Sequence, residues 1–167
     1  SNNVLAHVPD INDFVEGYSL LLKPNGVATF EFPYLVNLFE KSQFDTIYHE
    51  HYSYLSLSAV NTIFSSNGLH IFDVEQIDIH GGSLRVFVER KDSLREKFQS
   101  EMVNELLAKE KDGGYLSDQA YIGFQKVAEK AKDDMVKFLI NAKEEGKSVC
   151  AFGAAAKGNT FINFAGI

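Results

Sequence analysis

An α/β fold is what this sequence predicts, and three features carry that expectation. Residues 3 to 32 run from a short apolar stretch through an amphipathic helical stretch into a second apolar stretch, the order of a βαβ unit. Two further β-type segments flank His80-Gly81-Gly82. Near the end, Val149 to Phe152 leads through small residues toward another helix, the opening of a second βα unit.

Taken in order, Asn3-Val4-Leu5-Ala6-His7 reads as the end of a strand running into a loop. Asp10 is placed to cap a helix over Ile11–Leu22, with Phe14, Val15, Tyr18, Leu21 and Leu22 on one face. Lys23-Pro24-Asn25-Gly26 stops it, and Val27 to Phe32 forms an apolar strand ended by Pro33. Such a unit normally belongs to a larger parallel sheet, so further strands are expected outside this sequence. Tyr34 to Phe44 reads as a short helix or ordered loop. Ser56 or Ser58 caps a helix through Ser66, which Asn67-Gly68 ends. Leu69 to Ile79 and Ser83 to Glu89 read as an antiparallel pair. Helices are expected over Leu94–Lys109 and Ser117–Glu145. In the second, Phe124, Val127, Ala128, Ala131, Met135, Phe138, Leu139 and Ala142 recur at helical spacing, as in any helix packing on a core. Val149–Phe152 is expected to be a strand, Gly153 to Thr160 a turn, and Phe161 the start of a helix.

Composition narrows the function classes. The chain has 167 residues, 45% of them hydrophobic, enough to bury a core. A formal net charge of -7 argues against a nucleic-acid partner bound through phosphate neutralisation. A local pocket can still attract a small anion against that field. The lone Cys150 excludes an internal disulfide or a cysteine-rich zinc site within this chain, and its apolar neighbours suggest a buried thiol. No apolar run approaches the about 20 residues that span a bilayer. No signal peptide is visible, so a cytoplasmic setting and no membrane partner are expected.

Four constellations could carry chemistry. Asp45-Thr46-Ile47-Tyr48-His49-Glu50-His51-Tyr52 is the densest. Histidine is the natural proton acceptor near neutral pH, and a nearby carboxylate can orient it. If the segment is extended, His49 and His51 share a side and Glu50 points away, so convergence of Tyr48, Glu50 and His51 requires a bend. His49-x-His51 could alternatively ligate a metal or form part of a polar surface. His7 sits past a strand end, where open α/β sheets bind ligands, although a packing role fits equally well. The glycines of His80-Gly81-Gly82-Ser83-Leu84-Arg85 permit close backbone approach, or only a hairpin turn. Gly153-Ala154-Ala155-Ala156-Lys157-Gly158-Asn159-Thr160 matches no standard phosphate-loop motif. A strand-to-helix entry bearing Lys157 is nevertheless either an anion site or a plain tight turn.

The stretch Asn3 to Asp10, followed by Leu20-Leu21-Leu22-Lys23-Pro24-Asn25-Gly26 and the strand Val27 to Phe32, resembles the second half of a class I S-adenosylmethionine methyltransferase domain. The continuation, Glu31-Phe32-Pro33-Tyr34-Leu35, Phe44 to His51, His80 to Arg85 and Gly153 to Thr160, is similar in order to the sugar C-methyltransferases, over nearly the whole chain. Those enzymes methylate a carbon of a nucleotide-linked 4-keto-deoxyhexose. The resemblance implies a Rossmann-like methyltransferase half over residues 1–90. It implies a helical connection and the start of a second Rossmann-like βα domain over 91–167. The family's zinc-binding amino-terminal region and glycine-rich cofactor loop are not in this sequence, so most of the S-adenosylmethionine site and any zinc are expected outside it; no metal site is expected within it.

What the resemblance implies about residues is specific. His51 matches the proposed base, Tyr48 and Glu50 its neighbours, and His7 another active-site histidine. Asn3, Tyr34, His80, Gly81, Gly82, Arg85, Gly153, Lys157, Gly158, Asn159 and Thr160 are the expected substrate contacts, the last group around the nucleotide diphosphate. Two other readings stand beside this one: another small-molecule S-adenosylmethionine methyltransferase acting on oxygen or nitrogen, and a non-catalytic nucleotide-sugar-binding relative.

Overall fold

Asp10 begins the first helix as its position predicts. In the computed structural model, which describes residues 1–94, 98–153 and 155–167, its side chain accepts hydrogen bonds from the Asn12 and Asp13 amides. Helix α1 (Ile11–Leu21) follows, then strand β1 (Ala28–Pro33), helices α2 (Leu35–Glu40) and α3 (Leu57–Ser66), strands β2 (Leu69–Ile77) and β3 (Ser83–Arg90), and helices α4 (Glu101–Asp112), α5 (Phe124–Glu144) and α6 (Ala156–Ala165). Replacing Asp10 by Ala removes an acceptor from two otherwise orphaned amides and should cost about 1 kcal/mol. Urea denaturation of Asp10→Ala against Asp10→Asn, which retains a capping oxygen, checks this.

The sheet is mixed in a restricted sense. β3 lies between β1 and β2 and is antiparallel to both. Parallel pairing occurs at the Asn2–Glu31 bridge, where the incoming chain runs beside β1 before α1. The bridge lies just before the strand end expected over Asn3–His7; within that stretch Leu5–His7 turns instead as a short 3-10 helix.

One face of the sheet carries the core. Phe30 and Phe32 of β1 pair with Val86 and Leu84 of β3, and Ile71 and Val74 of β2 lie beside Val88 and Val86. All seven sit within the buried apolar cluster, with Val15 from α1, Val60 and Phe64 from α3, and Val103 and Leu106 from α4. Phe14, Tyr18, Phe30 and Phe64 stack edge to face in sequence, with centroids 5.3, 4.6 and 4.8 Å apart, tying α1 and α3 to β1. Alternation along β1 leaves Glu31 on the opposite face beside Arg85 of β3.

Several expectations need correction. Val149–Phe152 does not form a strand: Val149 is 50% exposed, Phe152 has no cover at all, and neither neighbour pairs with another strand. A lone extended segment has no partner for its main-chain groups, and apolar composition alone does not supply one. The second βα unit is therefore a loop followed by α6, which begins at Ala156 rather than Phe161. Cys150 is exposed, not buried, for the same reason. The helix expected over Ser117–Glu145 is broken: a 3-10 turn spans Asp118–Tyr121, and Gly123 adopts a left-handed φ of 94° before α5 begins. The helix expected from Leu94 starts instead at Glu101; residues 95–97 within that expectation, like Ala154 in the later turn, lie outside the described residues.

Candidate active site

The segment from Phe44 to Leu55 is folded back by its own main chain. A 3-10 turn at Phe44–Thr46 is followed by a second turn in which the His51 amide donates to the Tyr48 carbonyl. The Tyr52 and Ser53 amides then both donate to the Ala6 carbonyl, docking the loop on the turn that carries His7. This supplies the required bend. His51 turns inward while His49 is left exposed.

The result is a cleft of about 130 Å3 lined by Asn3, His7, Pro33, Thr46, Tyr48, His51, His80 and Lys157. Six of these are expected site residues, brought from four separate stretches of chain. His51 is the most constrained. Its Nδ1 is 2.7 Å from the Thr46 carbonyl, which can only accept, so Nδ1 carries the proton and Nε2 is the basic nitrogen of the neutral ring. The rings of His7, Tyr48 and Tyr54 box it at centroid distances of 4.8, 4.4 and 5.9 Å. The same logic fixes His7, whose Nδ1 donates to the Glu50 carbonyl at 2.9 Å. Main-chain oxygens thus fix the same tautomer for the neutral form of both rings.

The phenols beside them stay protonated. Burial, and then the negative charges of Glu50 and Asp45, push the Tyr48 pKa up. Burial also raises Tyr54, partly offset by its hydrogen bond to the Tyr48 main chain. Tyr48 therefore remains a hydrogen-bond donor at neutral pH, suited to a developing oxyanion.

The other expected residues fall into distinct places. Glu50 is exposed and reaches His7 through its main-chain oxygen rather than its carboxylate. Tyr34 is 1% exposed, and burial and the Glu110 charge hold its phenol protonated; it lines a small enclosed pocket next to the cleft, with Pro33, Thr46, His51 and Tyr54. Arg85 pairs with Glu31 and Glu75 at 2.9 and 2.6 Å and does not line the cleft. Gly81 and Gly82 take positive φ values, and a Cβ on either would come within 2.3 Å of the Gln43 or Asn37 side-chain nitrogen. They let the turn press against α2 and its following loop and so set His80 on the cleft. Gly153 is exposed with open space around it, and Gly158 and Asn159 lie in the first turns of α6. Thr160 instead lines an apolar groove with Phe44, Ile47 and Phe164. Of that group only Lys157 reaches the cleft, its Nζ 3.5 Å from the His80 carbonyl. Packing of Phe161 and Phe164 on Phe44 places α6 there.

Thr46 and Glu31 escaped the sequence reading. Thr46 lies inside the Asp45–Tyr52 cluster but acts through its carbonyl, which no side-chain pattern reveals. Glu31 did leave a signal: a carboxylate between Phe30 and Phe32 in an apolar strand is 2% exposed and must be paired.

The chain belongs to the family described as the C-methyltransferase C-terminal domain, which it matches over residues 78–167. Among curated proteins it is similar to C-methyltransferase NovU of Streptomyces niveus, at 38% identity over 162 residues, a stretch covering 97% of this chain and 38% of that protein. The chain thus spans well under half the length of that relative, and the stretch includes most or all of the cleft residues that precede residue 78. No described helix is long and apolar enough to cross a membrane.

Proposed function

We propose that this chain contributes the proton-abstracting and sugar-binding side of an S-adenosylmethionine-dependent C-methyltransferase acting on a nucleotide-linked 4-keto-deoxy sugar. The observation that carries this reading is His51. A histidine whose Nδ1–H is tied to a carbonyl keeps Nε2 free as a base, and it lines a cleft with Tyr48, His7 and Asn3. The parallel bridge ahead of α1 supports the Rossmann-like arrangement of the first part. The NovU name supports carbon as the methylated atom.

The chemistry follows from the ketone. A proton on the adjacent carbon is acidic because its electron pair delocalises onto the carbonyl oxygen as an enolate. His51 Nε2 takes that proton, the C–H electron pair moves into the enolate, and the Tyr48 hydroxyl is the donor available to the oxygen. His7 keeps a second basic nitrogen at the same cleft. S-adenosylmethionine, when bound, supplies the electrophilic methyl group. The cleft is smaller than the roughly 300–1,000 Å3 of a complete ligand site. It suits a sugar ring rather than the whole cofactor, to which we assign no residue of this chain.

Lys157 is the cleft's cation and the residue we assign to the substrate's diphosphate. Lys157→Ala in the natural full-length protein should weaken nucleotide-sugar binding by roughly 10–100-fold, the scale of a lost charge-assisted hydrogen bond, with cofactor affinity unchanged. Calorimetry with each ligand separates the two. The reading as a whole is tested by incubating that protein with methyl-labelled cofactor and a nucleotide-linked 4-keto-deoxyhexose. Label on a sugar carbon supports it; label on oxygen or nitrogen, or none, contradicts it.

A further inference from the structure

The Asn3 side chain sits at the cleft in an unusual state. Its backbone is in the left-handed region at φ 53°, uncommon for any residue but glycine and concentrated at functional sites. The Asn3 amide donates to the Glu31 carbonyl at 2.8 Å. Its side-chain Nδ2 donates to Glu31 Oε1 at 3.2 Å, and the Arg85 guanidinium holds the other carboxylate oxygen at 2.9 Å. The remaining atom, Oδ1, is buried and has no hydrogen-bond partner among the described residues. A carboxylate accepts and cannot donate, so Glu31 dictates which end of the amide faces it. A buried acceptor without a partner costs free energy unless something donates to it, and Asn3 lines the cleft.

We infer that Glu31, clamped by Arg85, is a positioning residue that forces Asn3 to present an acceptor to the cleft, so that the site selects a ligand bearing a hydroxyl donor at that point. This rests on the sugar-binding reading above. It also gives Arg85 a role through Glu31 rather than on the substrate.

Glu31→Gln makes a directional test. Arg85 has only donors and will keep the amide oxygen of the new side chain, turning its NH2 toward Asn3. Asn3 must then turn its own oxygen to Glu31's position and offer Nδ2 to the cleft, a donor where an acceptor is needed. In the natural full-length protein, Glu31→Gln should weaken affinity for a nucleotide-linked 4-keto-deoxyhexose by about 10–100-fold while cofactor affinity stays within about twofold. Asn3→Ala should weaken sugar affinity by itself, and adding Glu31→Gln to it should change sugar affinity by less than about twofold, because the group being turned is gone. The inference is overturned if Glu31→Gln leaves sugar affinity intact, if Asn3→Ala does, or if the Glu31→Gln loss persists undiminished on the Asn3→Ala background. Should Glu31→Gln not fold, Arg85→Met serves instead: it keeps the accepting carboxylate and hence the Asn3 orientation, so sugar affinity should fall by less than about threefold, and a loss as large as that of Asn3→Ala would place Arg85 on the sugar itself and overturn the inference. A parent protein that binds and methylates the sugar while Glu31→Gln and Asn3→Ala are silent defeats this inference alone. A parent that neither binds nor methylates it defeats the functional reading as well.

Discussion

Replacing His51 by Asn is expected to slow methyl transfer by about 10²–10⁴-fold, the usual contribution of a general base. That corresponds to on the order of 3–5 kcal/mol of transition-state stabilisation. Asparagine can still donate to the Thr46 carbonyl that now holds Nδ1, so the loop should keep its shape while losing the basic nitrogen. Sugar and cofactor affinities should therefore survive. Tyr48→Phe should cost less, as a donor to the enolate oxygen rather than the proton acceptor. Glu50→Gln should also cost less, because Glu50 fixes His7 through its main-chain oxygen, which the substitution retains. His49 is exposed and outside the cleft, so His49→Asn is the internal control and should be nearly silent.

Glu110→Ala should produce the largest loss of stability. Glu110 is fully buried on α4, and its two oxygens accept from the Leu57 and Ser58 amides at 2.6 and 2.8 Å. It thereby neutralises the N-terminus of α3, where the helix dipole is positive and the first amides have no partner within the helix. Alanine leaves two amides unsatisfied and a void beneath α3. The cost should be about 3–5 kcal/mol, a large share of the roughly 5–15 kcal/mol that holds a domain together. Glu110→Gln keeps one accepting oxygen and should lose distinctly less. Urea denaturation followed by circular dichroism measures both; a loss below about 1 kcal/mol for Glu110→Ala would contradict this account of the α3–α4 contact.

Local signals in the sequence succeeded where the structure is decided locally. Asp10 caps its helix with its side chain as its position predicted, and of the two serines expected to cap the next, Ser56 does so. The paired segments around His80-Gly81-Gly82 form the antiparallel hairpin read from their composition. Failures came where partners are distant or lacking. Four apolar residues at Val149–Phe152 carry a strand's composition, but a strand exists only with a neighbour. The helical period ran unbroken across Gly123 because apolar spacing does not register one left-handed residue.

The site divides the same way. Crowding of Tyr48, Glu50 and His51 into a few residues was visible, and so was the need for a bend. What orients them was not: the links from Asn3 to Glu31 and from His7 to the Glu50 carbonyl cross 28 and 43 residues of chain. Two of the three orienting groups are main-chain oxygens, identical at every residue in a sequence. The resemblance implied that Tyr34 and Arg85 touch substrate; what the sequence did not show is that Tyr34 is buried in a small pocket beside His51 and that Arg85 is engaged by Glu31.

Exchange of the carbon-bound proton isolates the step assigned to His51 from methyl transfer itself. The natural full-length protein, with the demethylated cofactor product bound, is incubated in heavy water with a nucleotide-linked 4-keto-deoxyhexose, and deuterium at the carbon beside the ketone is followed by NMR. The parent should incorporate deuterium there, and His51→Asn should do so at least about 10²-fold more slowly while binding the sugar as before. Incorporation by His51→Asn at the parent rate would contradict the assignment and move the base to His7, whose Nδ1 is tied to the Glu50 carbonyl and whose Nε2 is left free beside the same cleft.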